Sequence, residues 1–549
     1  MPGGERTRPR GRRLVEIASR LGALLNPATS FAQPAEAPVT SRESLVVAYH
    51  PEVRAIGQSI LHAGGNAFDA FVAVAAAENV MAEGASSLAG SLGVLLYDAA
   101  QHEVAYLDAD FSDPLDPTWR WREGMPRDGR AVLVPGAPAG LEVLARHYGT
   151  MPLDRLLQPS IELAERGFPV SRLMARMIAW RRKVLRRTEY GCRTFFSPRG
   201  RPLAVGETLR QPEVAAFLSS VADEGAAHVY SGPWGTRFLD VVRGSGGVLT
   251  ERDLSGYGVS VHAPRRVEYR GRTIHACSGR TYGGLWALVA LKTLEHQSLP
   301  AGTHYTDDAA TLETMVRIAH QVWEEPALLD ARTLDDPEAA ASLLTPQHTG
   351  AIWQRVEDGG PFRGIARAGS HSYHIITIDR DGNCASGTTT IESDPWGEGV
   401  FVAGLPLSFA GAIPWSTAAG QRRLSPFSMH FVLDGDRLQF SVGAISNSVV
   451  EAAFQFLVSL IDYGLPVREV VCRPRFGTFP ARPRLSTGKN WLDPRVNRRI
   501  VSALRKRGLR FERRGTLDTG LGAVLAVAAD GTRTGICAPV PYVPAPFSS

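Results

Sequence analysis

The chain has 549 residues, 44% of them hydrophobic and 21% charged, with 55 Gly, 37 Pro and a formal charge of +5. Such a length holds several units' worth of core, and the composition excludes a disordered chain, a collagen-like repeat and a disulfide-knotted miniprotein. Nowhere is there the uninterrupted run of about 18 apolar residues that a membrane span needs.

The excess charge is local. Residues 1–13 carry five Arg against one Glu, or +4, in a Pro/Gly-rich stretch that cannot pack as a helix. No aromatic residues are interleaved there, so the segment 1–40 reads as a basic, disordered leader with no nucleic-acid or membrane partner. The apolar run after Arg12-Arg13 is interrupted by Glu16 and Arg20, whereas a secretory signal needs about 7–15 clean residues. A cytoplasmic location is expected. The five Cys (Cys192, Cys277, Cys384, Cys472 and Cys537) are scattered and odd in number, with no metal-ligand spacing. No metal or organic cofactor is implied. The basic residues are 56 Arg and four Lys, a bias of GC-rich coding rather than of function.

Leu45–Ala48 reads as a short buried strand, and Pro51 opens a helix that Gly64-Gly65 stops. The Ala/Val/Phe-rich stretch Ala67–Asn79 predicts a helix buried on most sides. The small-residue stretch 86–93 predicts a turn into a strand over Val94–Tyr97. The middle, about 135–365, reads as mainly helical, with amphipathic segments at 152–166, 210–222, 283–296 and 308–328. Beyond residue 372 short β-runs precede Asp-Gly turns: His374–Ile378, Met429–Leu433 and Ala523–Ala528. Helices at 448–463 and 494–507 interrupt them. The texture is α+β, sheets covered by helices.

Four ordered blocks carry a resemblance. They are Tyr49-His50-Pro51 running to Gly64-Gly65-Asn66-Ala67-Phe68-Asp69-Ala70; Val134-Pro135-Gly136 running to Pro169-Val170; Gly247–Tyr257; and His374 followed by Asp379-Arg380-Asp381-Gly382-Asn383. Together they resemble the γ-glutamyltranspeptidase family of N-terminal-nucleophile (Ntn) hydrolases, from residue 45 to about 535. The resemblance implies an α+β four-layer αββα sandwich formed jointly by two subunits of one precursor. It further implies autocatalytic cleavage before a hydroxyl residue, which becomes the N-terminal nucleophile.

Counting back from Asp379–Asn383 puts that position at Ser372, with Ser370 as its rival. A Ser offers the same Oγ as the usual Thr without the methyl that restricts χ1. Cleavage after His371 divides the chain into a large portion, 41–371 beyond the leader, and a small portion, 372–549, as an intertwined heterodimer. His374 shares a strand face with Ser372 and is read as structural. Thr390 matches the residue whose hydroxyl assists the nucleophile, and Thr388 shares its face. Ser446 and Asn447 stand where the family has a Gly-Gly pair whose backbone N–H groups form the oxyanion hole; the Asn447 amide is a further donor. Loss of glycine there restricts the backbone.

Departures from the pattern fall on the substrate side. Ser112 replaces the Arg that grips the glutamyl α-carboxylate, and Glu392 replaces an Asn. Of a carboxylate-binding Ser-Ser pair only Ser425 remains, before Pro426. Residues 404–410 lack the family's amine-binding acid and amide. Thr388, Glu392, Ser425 and Ser112 thus line a re-built pocket for a small-molecule substrate, with Arg422 or Arg423 as candidate compensation. The expected function is hydrolysis of an acyl, amide or C–C bond in a specialised metabolite, as in antibiotic biosynthesis. The alternatives are an ordinary γ-glutamyl hydrolase/transpeptidase of glutathione metabolism, or an unprocessed, non-catalytic binding homologue.

Overall fold

A computed structural model describes residues 37–538 apart from 123, 361–371, 414–417 and 479–489. The Arg-rich segment 1–36, Ser370 and His371 lie outside the described residues.

Thirteen strands build the two main sheets. Before residue 361 they are β1 (Val39–Ser41), β2 (Leu45–Val47), β3 (Ser91–Asp98), β4 (Glu103–Ala109), β5 (Ser260–His262), β6 (Arg265–Tyr269) and β7 (Arg272–Ala276). After residue 371 come β8 (Ser372–Ile378), β9 (Cys384–Thr390), β10 (Ser428–Asp434), β11 (Arg437–Ile445), β12 (Leu521–Val527) and β13 (Arg533–Cys537). One sheet has the order β2-β8-β9-β3-β4-β5 and the other β1-β13-β12-β11-β10-β7-β6, with antiparallel neighbours throughout. Strands from both sides of residue 371 are therefore woven into each sheet. Val39 and Thr40, expected at the end of the leader, already pair with β13.

Strand alternation makes three cores. Ile376 and Ile378 point at Met429, Phe431 and Leu525 of the facing sheet. Their neighbour Ile375 points outward into a core shared with helix α1 (Pro51–His62) and helix α2 (Ala67–Met81). The other sheet turns Val432, Val442 and Val524 toward helix α3 (Tyr282–Leu294) and helix α4 (Val449–Ile461). The result is the expected αββα sandwich. No helix among the described residues is long and apolar enough to cross a membrane.

Two of the sequence motifs are one structural unit. Asn66 caps α2 in a capping box with Asp69. Asp379, in the β8–β9 turn, accepts the Ala67 N–H at 3.0 Å, while Thr377 Oγ1 donates to the Ala67 carbonyl at 2.7 Å. The Gly-Gly-Asn-Ala block thus grips the Asp379–Asn383 turn across more than 300 residues of chain.

Three expectations need correction. Strand β3 begins at Ser91, not Val94, because Gly93 is a flat strand position pressed against Phe427 and the Tyr106 hydroxyl. The mainly helical middle also supplies the edge strands β5 and β6 and the strand β7 next to β6. Their tight turn uses Arg270 and Gly271 at φ of 49° and 75°, without the Asp-Gly or Asn-Gly that marks hairpins in sequence. The helix predicted to reach 328 stops at Trp323, ahead of Pro326.

Gly443 of β11 faces His374 of β8 across the sandwich, and a Cβ there would overlap the imidazole ring. Gly443→Ala is expected to lower unfolding free energy by about 1–3 kcal/mol through overpacking, measured by urea denaturation.

Candidate active site

Ser372 is the first residue of β8, half-buried, and lies opposite Thr390 of β9 in the ladder. That register brings the hydroxyls together: Ser372 Oγ donates to Thr390 Oγ1 at 2.9 Å. Thr390 Oγ1 also accepts the Glu392 backbone N–H at 2.9 Å, which fixes the rotamer of the assisting hydroxyl. The Ser372–Thr390 pair is therefore set by strand pairing rather than by loop conformation.

One pair further along, His374 is fully buried between Thr388 Oγ1 at 2.9 Å and Ser386 Oγ at 3.0 Å. Burial, with His430 nearby, pushes its pKa down to about 3, so the ring is neutral. It fills the space between the sheets as a structural group. Thr388, expected at the substrate, instead spends its hydroxyl on His374 and is buried behind Ser372.

His374 facing Gly443 puts the start of β8 and the end of β11 at one end of the sandwich. Tyr49 strengthens that end: its ring meets Tyr373 edge-on with centroids 5.5 Å apart, and its hydroxyl donates to the Gly522 carbonyl of β12. Just past β11, Ser446 adopts φ +88°, in the left-handed region that favours glycine. The backbone demanded of the expected Gly-Gly pair is thus kept without glycine. Ser446 Oγ accepts the Leu521 N–H at 3.2 Å and Ser448 Oγ donates to the Asp518 carbonyl at 2.6 Å. Helix α4 starts at Val449, so its positive N-terminal end adjoins this turn. Asn447 directs its side-chain amide to Asp518 Oδ1 at 2.9 Å, away from the turn's backbone N–H groups.

The other expected pocket residues gather beyond the end of β4. Ser112 forms bridges with Val134 and Arg422, and its Oγ accepts from Arg422 Nη1 at 2.5 Å. Arg422 thereby reaches Ser112, but it is already tied to Asp108 at 3.4 Å and lies over the Tyr257 ring at 4.3 Å. Arg423 is ion-paired with Asp113 at 3.1 Å. Ser425 is buried, and its Oγ accepts the Phe427 N–H at 3.4 Å. Glu392 is buried at φ +48°; burial and repulsion from Asp110 hold its carboxyl well above the usual range, against the attraction of Arg423. Asp110 is pushed up to about 7 by burial and by Asp108. Among the described residues no group of three or more His, Cys, Asp or Glu could hold a metal ion.

Sequence reasoning missed a charged cluster on the outer face of β8. His50 Nδ1 lies 2.8 Å from Glu78 Oε1 and its Nε2 3.3 Å from Glu83 Oε1, while Tyr373 donates a short hydrogen bond to Glu83. Glu78 and Glu83 sit on α2 and in the loop after it, in an apolar stretch with no local signal of a distant partner. Burial opposes an imidazolium here, yet the two carboxylates outweigh it and raise the His50 pKa well above 6.5. A raised histidine contributes stability that is fully present below the unfolded pKa and lost as pH rises through the folded value. His50→Gln is expected to cost about 3–5 kcal/mol at mildly acidic pH and clearly less in alkaline buffer, read from urea unfolding at the two pH values. Ser446→Val, which forces a β-branched residue into the left-handed region, is expected to cost about 1–3 kcal/mol, and Ser446→Gly markedly less.

Comparison with known proteins agrees with this geometry. The family model described as gamma-glutamyltranspeptidase matches residues 54–539. The chain is 30% identical over 540 residues to the acylase ACY 1 proenzyme of Pseudomonas sp. (strain V22), covering 91% of this chain and 92% of that one. It is 26% identical over 545 residues to the glutathione hydrolase proenzyme of Bacillus subtilis (strain 168), covering 90% of each. The crystal structure of cephalosporin acylase from Bacillus halodurans superposes with a TM-score of 0.82 at 22% identity, over 94% of this chain and 97% of that one. The chain belongs to the γ-glutamyltranspeptidase family of Ntn hydrolases.

Proposed function

We propose that this protein is an autoprocessing acylase-type hydrolase with Ser372 as nucleophile, acting on an amide of a specialised metabolite rather than on glutathione. The observation that carries the reading is the Ser372–Thr390 hydroxyl pair at 2.9 Å, at the sandwich end where Ser446 is left-handed and α4 begins. Maturation starts when Ser372 Oγ attacks the His371 carbonyl carbon. The acyl group moves from N to O, and water then hydrolyses the ester. The 549 residues become portions of 371 and 178 that remain intertwined through both sheets.

The freed α-amine of Ser372, with an ordinary pKa near 8, takes the Oγ proton as the oxygen attacks the substrate carbonyl. Thr390 holds Oγ in line. The backbone N–H groups of the Ser446–Ser448 turn receive the oxyanion, helped by the helix terminus. Collapse expels the amine, which takes the proton from the Ser372 α-ammonium. Water attacks the acyl-enzyme with the same amine as base, releasing the acid.

A glutathione donor is disfavoured because its α-carboxylate meets Ser112 and an Arg422 already paired with Asp108. Burying an unpaired charge costs several kcal/mol. The acylase relatives are consistent with a non-glutamyl acyl group.

Purified protein is expected to run as two chains, the smaller beginning Ser-Tyr-His-Ile. Ser372→Ala is expected to stay a single band of 59.3 kDa, on SDS gels with N-terminal sequencing. Persistence of the two bands in Ser372→Ala, or a start at Ser370, overturns the assignment. Glutathione hydrolysis by the mature protein is expected to be at least about a hundredfold slower than that of its preferred acyl amide, judged by kcat/KM.

A further inference from the structure

Register pairing continues the nucleophile's row across the sheet. Ser372 of β8 lies opposite Thr390 of β9, and Thr390 opposite Ser91 of β3. Ser91 precedes the Leu92–Ala109 pair, so the row arrives at Asp110, one residue beyond the end of β4. Residues paired across a sheet share a face, here the one turned toward the opposite sheet. Glu392, two residues past Thr390, joins the row at the same open end.

Three polar atoms along this lane are buried without a hydrogen-bond partner among the described residues: Ser91 Oγ, Asp110 Oδ2 and Glu392 Oε1. Their residues are 0%, 2% and 5% exposed. The charges around them do not balance. Both nearby arginines are committed, Arg422 to Asp108 and Arg423 to Asp113, which leaves Asp110 and Glu392 without an ion-pair partner among the described residues. Buried, unpaired carboxylates are costly unless a cation arrives or a proton is taken up; burial raises the pKa of both, with added repulsion from Asp108 on Asp110 and from Asp110 on Glu392.

We propose that Asp110 and Glu392 form the far end of the acyl pocket and select an acyl group that ends in an ammonium or guanidinium cation, with Ser91 donating a hydrogen bond between. This rests on Ser372 being the nucleophile. It reverses the charge preference expected of a dicarboxylic acyl donor such as glutaryl. Three strand spacings separate the backbones of Ser372 and Asp110 by about 14 Å. Subtracting the two side chains and their contacts leaves about 6 Å between the acyl carbonyl and the cation, a chain of about five bonds.

Self-cleaved protein is tested on δ-aminovaleryl, hexanoyl and glutaryl p-nitroanilides, which differ mainly at the terminal group. The expected kcat/KM for the ammonium chain is at least about tenfold above both others, and Glu392→Gln is expected to bring the ammonium-to-hexanoyl ratio toward one. The wild-type ratio decides the matter even if the variant fails to fold. Equal or faster cleavage of the hexanoyl or glutaryl chain overturns the charge assignment and leaves Ser372 standing. Cleavage of none of the three, or equal cleavage by Ser372→Ala, overturns the nucleophile reading and this inference with it.

Discussion

The antiparallel pairing of β8 with β9 is the constraint on which the site depends. It sets Ser372 against Thr390, His374 against Thr388 and Ile376 against Ser386 in a single register. A slip of one residue would turn Ser372 outward toward the helices and bury Tyr373 between the sheets. The register is held at both ends. Asp379 ties the β8–β9 turn to the first N–H of α2, and Tyr373 is held on the outer face by Glu83 and Tyr49. β8 pairs with β9 along its whole length and with β2 over Ile376–Ile378, so its first residue stands at the end of a paired strand rather than on a free loop.

That rigidity sets tight packing conditions on the facing sheet. The His374 ring lies flush on Gly443, and the hydroxyls of Thr388 and Ser386 satisfy both ring nitrogens. A neutral, fully hydrogen-bonded imidazole tolerates this burial, whereas a charged one does not. A few residues further on, Ser446 is held left-handed by the strand it leaves and the helix it precedes. Strain at such a position persists only where the surroundings over-determine it; the Ser446–Leu521 and Ser448–Asp518 hydrogen bonds supply that determination.

Charge is distributed unevenly around Ser372. On the outer face of β8 one imidazolium sits between two carboxylates and is fixed by geometry. On the inner face, beyond β4, two arginines are neutralised by Asp108 and Asp113 while Asp110 and Glu392 are not. The first cluster is closed on itself and supports the strand; in the second, Asp110 and Glu392 have no ion-pair partner among the described residues.

The sequence by itself determined the fold family and the order of most elements around residue 372, and it singled out Ser372, with Ser370 as rival, and Thr390 as candidates. Those are carried by local patterns: Gly-Gly helix stops, Asp-Gly turns, and a hydroxyl at a fixed distance before a hairpin. It also marked Ser112 and Glu392 as departures from a known pattern. Only the tertiary structure decided what those departures do. Thr388 turned from substrate to His374, and Asn447 to Asp518. Arg422 arrived at Ser112 from 310 residues away, and Asp110 joined Glu392 from a different strand. The hairpin at Arg270-Gly271 and the cluster at His50 were equally illegible. Strand periodicity reports which side of a sheet a residue takes, but the partner it meets there depends on sheet order and register, which no local run of residues encodes.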